Sequence, residues 1–176
     1  MQKRIAVTVI ASLVTIAVIG IAVAQQAEKP AVTGQPSIEG TYKIVKRVLP
    51  DGTVVTPPHV VGMMTLTKHY RNMNVYWDDP AGKRASIARI AEYSLTPESY
   101  SETSLYCQVH DEIGDMGIET GTMYDVSNQQ GKSPVEMKDG KISFQLPLFG
   151  EPRATFTSTG MVAEGSWFAD YWEKVM

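Results

Sequence analysis

The chain has 176 residues, with 16 Lys plus Arg against 19 Asp plus Glu, a formal net charge of −3 and a single cysteine, Cys107. An acidic balance excludes a nucleic-acid footprint, whose phosphates require clustered cations, and argues against an anionic membrane surface. One cysteine excludes an intramolecular disulfide, so any core must hold by packing alone.

Met1 to Ala24 reads as a secretory signal. Lys3 and Arg4 precede an unbroken apolar run from Ile5 to Val23 that closes on Ala22-Val23-Ala24. About 20 apolar residues also span a bilayer as a helix, so an uncleaved anchor is the alternative. Either way the remainder is expected to be periplasmic or secreted. Without Lys3 and Arg4 it carries 14 basic and 19 acidic residues, a net charge of −5. Gln25 to Ser37, with two prolines and no periodicity, reads as a flexible spacer. Residues 38–176 form the single remaining domain.

Strand signals fill that domain. Thr41 to Leu49 is rich in Val, Ile and Tyr, and Asp51-Gly52 marks a hairpin before Thr53-Val54-Val55. Pro57-Pro58 interrupts the chain before a strand over Val60–Thr67. From Arg71 to Asp78 the pattern alternates, with Met73, Val75 and Trp77 opposite Asn72, Asn74, Tyr76 and Asp78; a period of two belongs to a strand. Ser86 to Leu95 fits a short helix or a strand, with Tyr93 and its apolar neighbours favouring the strand. Tyr100 to His110 alternates again, Leu105, Cys107 and Val109 opposite Tyr106, Gln108 and His110.

Glu112 to Lys132 is glycine-rich and polar, the composition of a long loop or a lid around Gly114–Gly121. It lacks the Lys and Ser or Thr of a phosphate loop. Asp111, Asp115, Glu119 and Asp125 do not have EF-hand spacing. Strands resume at Val135–Lys138, turn on Asp139-Gly140, run from Ile142 through Leu148, and end with Glu151–Ser158 and Trp167–Val175. Eight to ten short strands with frequent turns predict an all-β, single antiparallel up-and-down barrel after an N-terminal signal helix, closed because an open sheet of this length exposes its edges.

Two segments carry a family resemblance. Ile38-Glu39-Gly40-Thr41-Tyr42-Lys43-Ile44-Val45 resembles the Gly-x-Trp strand that opens lipocalins and related calycin barrels, with Tyr42 in place of Trp. Trp167-Phe168-Ala169-Asp170-Tyr171-Trp172-Glu173-Lys174-Val175 is similar to the last strand of exported bacterial lipocalin-like domains, with Lys174 nearest to the usual packing arginine. The central Ile90–Leu95 and Tyr100–Thr103 also resemble paired strands of those domains. The resemblance implies a barrel over Ile38–Val175. If the barrel closes, Tyr42 and Lys174 meet, and an ammonium over an aromatic face contributes about 0.5–1 kcal/mol.

A barrel of this size holds side chains or one small ligand. Met73, Trp77, Tyr93 and Tyr106 are the candidate ligand-binding residues of its first half. Phe144, Phe156 and Trp172 are those of its second half, and the plainer alternative is that all seven simply fill a core. His59, His69 and His110 fall in separate segments without metal-ligand spacing, so no metal and no cofactor are expected. Glu92 and Glu102 sit on adjacent strands, where facing carboxylates would transfer protons; exposed glutamates are the plainer reading. No catalytic motif stands out. The sequence therefore leads to an exported barrel that binds a small apolar molecule without catalysis. An isomerase or cyclase on the same barrel, or a filled protein-interaction module, are the alternatives.

Overall fold

The computed structural model describes residues 36–114 and 129–175, and every regular element among them is a strand. The first six are β1 (Gly40–Val48), β2 (Val54–Val55), β3 (Val60–Leu66), β4 (Tyr70–Asp78), β5 (Arg84–Leu95) and β6 (Ser99–Asp111). The remaining five are β7 (Gln130–Lys138), β8 (Lys141–Gln145), β9 (Arg153–Phe156), β10 (Gly160–Glu164) and β11 (Ala169–Val175). The expected signal and most of the spacer lie outside the described residues, as does nearly all of the expected lid.

From β3 to β11 each strand pairs antiparallel with the next, and β3 also pairs with β1. The ladder closes where β11 returns to β1, with Thr41 opposite Val175 and Val48 opposite Ala169. Ten strands thus form a closed up-and-down barrel, and the two-residue β2 pairs only with the end of β1. Closure leaves no free edge along the main ladder.

Alternation sets the inner face. Val60, Met64 and Leu66 of β3 point inward, while Val61 and Met63 are exposed. Gly62 shares the inner parity because a Cβ there would stand 2.6 Å from Ile44 Cδ1 and 3.0 Å from the Trp172 ring. Ser86–Leu95, open between helix and strand from its sequence, is strand, since it pairs with β6 along its whole length and with β4 as far as Glu92.

Two β-bulges shift the inward parity. One falls between Ile44 and Lys46 on β1, so that Tyr42 and Ile44 face inward before it and Arg47 after it. The other leaves Leu105 of β6 without a partner, because Ile90 pairs with Tyr106 and Ala91 with Ser104. Tyr100, Glu102 and Ser104 therefore face inward before this bulge, and Cys107, Val109 and Asp111 after it. A bulge inserts one residue and rotates everything beyond it by half a period.

Several boundaries differ from the sequence expectation. β7 begins at Gln130 rather than Val135, which shortens the expected loop. β8 stops at Gln145, and residues 146–152 leave the ladder, since Pro147 and Pro152 cannot donate to it. β10 was not anticipated, because only three apolar residues separate Gly160 from Gly165. Gly160 is required there: a Cβ would collide with the Trp172 carbonyl oxygen. Trp167 and Phe168 precede β11 in a turn closed by Gly165 N–H donating to the Phe168 carbonyl at 2.9 Å.

Candidate functional site

The barrel interior is divided between a filled region and a hollow one. An aromatic stack fills the first. Tyr93 stacks on Tyr100 (5.6 Å between centroids), Tyr100 on Phe144 (4.2 Å) and Phe144 on Phe156 (5.6 Å). Tyr42 meets Phe156 edge-on at 5.7 Å. Burial pushes the Tyr42 phenol up to about 12. Burial, reinforced by Glu39 and Tyr42, does the same for Tyr93, also to about 12.

Beside this stack lies a cavity of about 520 Å³. Its apolar wall includes Met73, Val75, Trp77, Ile87, Val109 and Trp172. That volume is within the range of small-molecule sites. Residues 146–152 contribute Leu146, Phe149, Gly150, Glu151 and Pro152 to its lining.

The cavity has two ionic borders. At the β1–β11 seam, Arg47 is bidentate to Asp170, Nε to Oδ1 at 2.7 Å and Nη2 to Oδ2 at 2.8 Å, both side chains buried. The guanidinium packs on Trp77 (4.6 Å), Phe168 (4.6 Å) and Trp167 (5.3 Å). Flat, weakly hydrated guanidinium suits such a cage better than ammonium would. Burial pushes the Asp170 carboxyl above its ordinary value, with Arg47 pulling the other way.

The second border is a four-residue charge network. Arg71 pairs with Ala91 and Arg89 with Met73 in the β4–β5 ladder, so the two arginines are diagonal neighbours on the inner face. Adjacent buried cations are held only with counter-charge. Glu102 supplies one: its Oε1 lies 2.9 Å from Arg71 Nη2 and 2.6 Å from Arg89 Nη2. The Arg89 contact is an ion pair without an aligned hydrogen bond. Glu151 supplies the other. It accepts from Arg71 Nη2 at 2.9 and 3.0 Å and pairs with Arg89 Nη1. Tyr100 donates to Glu102 Oε2 at 2.6 Å. Burial, together with the neighbouring carboxylates, holds the Tyr100 phenol well above its ordinary value despite the opposing Arg71. For Arg71, burial alone would weaken the cation, but Glu151 and Glu102 outweigh it and hold its pKa above the ordinary value.

The seven candidate ligand residues separate accordingly. Met73, Trp77 and Trp172 line the cavity. Tyr93, Phe144 and Phe156 belong to the aromatic stack instead. Tyr106 is on the outer face, its hydroxyl donating to Gln108 at 2.7 Å, because the Leu105 bulge sends Cys107 inward in its neighbourhood. Tyr42 and Lys174 are direct partners across the closing seam, with the ammonium 5.7 Å from the ring centroid.

Glu92 and Glu102 do not face one another. Glu92 is exposed and accepts from the Tyr70 hydroxyl at 3.1 Å, whereas Glu102 is 2% exposed. Glu102 pairs with Tyr93 in the ladder and Glu92 with Thr103, so the two point to opposite faces. Cys107 is buried against the cavity, and burial raises its thiol pKa. His59 and His110 make surface pairs with Asp78 (2.9 Å) and Glu112 (3.2 Å). Among the described residues, no group of three His, Cys, Asp or Glu side chains is placed to hold a metal.

The charge network was not anticipated, although part of its signal was present. Arg71 shares the parity of Met73, Val75 and Trp77, and Arg89 that of Ile87 and Ala91. Charges at core parity on two consecutive strands require a buried counter-charge. Glu151 could not be paired with them by any local pattern.

Ten antiparallel strands closed around a part-hollow interior make this an all-β, up-and-down barrel. No protein-family model matches the chain, and no curated protein matches it. Two solved structures are similar to it. A lipocalin-like protein from Bacteroides uniformis shares 14% identity over 78% of this chain and 97% of its own, with a TM-score of 0.34. An uncharacterized protein from Bacteroides eggerthii shares 13% identity over 79% of this chain and 100% of its own, with a TM-score of 0.35. The barrel itself is established by its own hydrogen-bonded ladder.

Proposed function

We propose that this protein is an extracytoplasmic binding protein that carries one small, mostly apolar molecule inside its barrel. The carrying observation is the cavity of about 520 Å³, walled by Met73, Val75, Trp77, Ile87, Val109 and Trp172. Methionine adapts to irregular apolar shapes, and the tryptophans offer large rigid faces at low entropic cost. The buried acids beside the cavity support carriage over catalysis. Asp170 is held by Arg47, and Glu102 and Glu151 by Arg71 and Arg89. A carboxylate tied to a guanidinium by charge-assisted bonds is a poor proton acceptor. The Lys3-Arg4 start and apolar run of the N-terminus support export.

Native mass spectrometry of the protein purified from its host's extracytoplasmic fraction tests this reading. A co-purifying small molecule that is lost on mild denaturation is the expected result. Recovery only from the cytoplasm would refute export. Failure of a panel of neutral apolar probes to bind at millimolar concentration would refute carriage.

A further inference from the structure

The outer face of β3–β6 differs from the rest of the barrel surface. Three outward rows of four residues cross these strands in register, from Val61 to His110, from Met63 to Gln108 and from Thr65 to Tyr106. None of the residues in these rows is Lys, Arg, Asp or Glu. His110, at one corner, is paired with Glu112. Outward sheet positions are where charge normally collects, and charge returns at once beyond the patch. Asp78 and Arg84 pair in the ladder past one end, Glu92 lies past the other, and Lys43 stands beside Met63 on β1. Elsewhere on the surface Lys43 meets Glu173, and Arg153 meets Glu136.

Within the patch, apolar groups flank amides. Val61 and Met63 of β3 form one apolar stripe, and Ile90 of β5 with Leu105 of β6 forms the other; all four are 39–46% exposed. Between the stripes stand the exposed Asn72 and Asn74 of β4, joined by one bond from Asn74 Nδ2 to Asn72 Oδ1 at 3.3 Å. Among the described residues no other side-chain hydrogen bond engages these amides, so each keeps a donor and an acceptor to offer. Such a surface is its own complement. A two-fold axis along β4 lays Val61 and Met63 of one copy against Ile90 and Leu105 of the other, and amide against amide. Charge favours the same occupant. A charged partner gains nothing from a face without charge. Two copies of a chain that carries 14 basic and 19 acidic residues beyond Lys3 and Arg4 meet there with least repulsion.

We infer that this face pairs with the same face of a second copy, giving an isologous dimer that buries the two apolar stripes and leaves both barrel interiors untouched. Four strands about 4.8 Å apart, with three outward residues about 6.8 Å apart on each, give a patch of about 400 Å² per copy. Standard stable interfaces bury about 800 Å² per partner, so this dimer belongs to the weak, reversible class, with an expected Kd of about 10–500 µM. The inference is independent of what the cavity holds.

Sedimentation equilibrium of the purified protein, from about 10 µM to about 1 mM, is the test. The average mass should climb from one chain towards two and stop there. Asn74→Asp keeps the shape of the side chain and adds a carboxylate at the two-fold axis, so it should weaken the dimer at least tenfold. Met63→Glu should do the same from the apolar stripe. Lys138→Glu, exposed on β7 and outside the face, changes net charge by more than either yet should alter the Kd less than threefold. Raising salt from about 50 to about 500 mM should leave the association unweakened, because no ion pair crosses the face. A single-chain mass at about 1 mM overturns the proposal. So does an assembly that grows beyond two chains, that loosens with salt, or whose Kd stays within twofold in both Asn74→Asp and Met63→Glu. Should Met63→Glu not fold, Asn74→Asp decides alone.

Discussion

Truncating Phe144 to alanine separates the filled region of the barrel from the hollow one. The ring is fully buried, lies 4.2 Å from Tyr100 and 5.6 Å from Phe156, and is not part of the cavity wall. Phe→Ala substitutions in cores cost about 3–5 kcal/mol, more where the site cannot collapse. Two aromatic pairs would be lost, each contributing about 0.5–1.5 kcal/mol beyond area. The stack is held from both sides by other rings, so relaxation is limited and about 4–5 kcal/mol is expected, the upper part of that range. A domain of this size has about 5–15 kcal/mol in total. Urea unfolding followed by tryptophan fluorescence reads the change, and with a slope of about 2 kcal/mol/M the midpoint should fall by about 2 M. The slope itself should not change. A loss below about 1.5 kcal/mol at constant slope would refute the packed stack, because a ring beside open space can be removed at lower cost.

Trp77→Ala should act on binding as well as on stability, since the ring also packs on Arg47; any ligand of the cavity should weaken at least tenfold, as isothermal titration would read, and an unchanged Kd would place the ligand elsewhere. At the seam, Arg47→Met or Asp170→Leu alone should each cost about 3–5 kcal/mol by leaving a buried charge unpaired, whereas the double variant should recover most of that loss. Additive costs in a double-mutant cycle would contradict the buried pair. Tyr42 and Tyr93 titrate near 12 in the folded protein against about 10 unfolded, so the unfolded chain loses these protons first. Their contribution is complete below about pH 10 and is lost as pH rises to about 12, up to about 2–3 kcal/mol for each. Tyr93→Phe should flatten that alkaline slope in chemical denaturation, and an unaltered slope would argue against its burial. Gly62→Ala must push Ile44 and Trp172 aside and should cost about 1–3 kcal/mol, visible as a lowered melting temperature.

Local chemistry was enough for much of the barrel. The period of two through Arg71–Asp78, the Asp-Gly turns and the aromatic ends of the domain are properties of neighbouring residues, which strand geometry reads directly. They led to an all-β closed barrel, and the resemblance of the two end strands to known barrels pointed to Tyr42 and Lys174 as partners where it closes. Met73, Trp77 and Trp172, candidate ligand residues from their aromatic and methionine character, line the cavity.

What alternation could not reach depended on tertiary structure. The bulges at Val45 and Leu105 each add one residue to a strand, and no local residue preference marks them. Yet they bring Arg47 inside and leave Tyr106 outside. Whether an inward aromatic lines a cavity or fills a stack depends on what stands opposite it across the barrel, which put Tyr93, Phe144 and Phe156 together. The charge network is the extreme case. Arg71 and Arg89 carry core parity in the sequence, but Glu151 lies 80 and 62 residues away from them and outside any strand. Only the closed barrel, by enclosing two cations in a low-dielectric interior, makes a distant loop carboxylate their necessary partner.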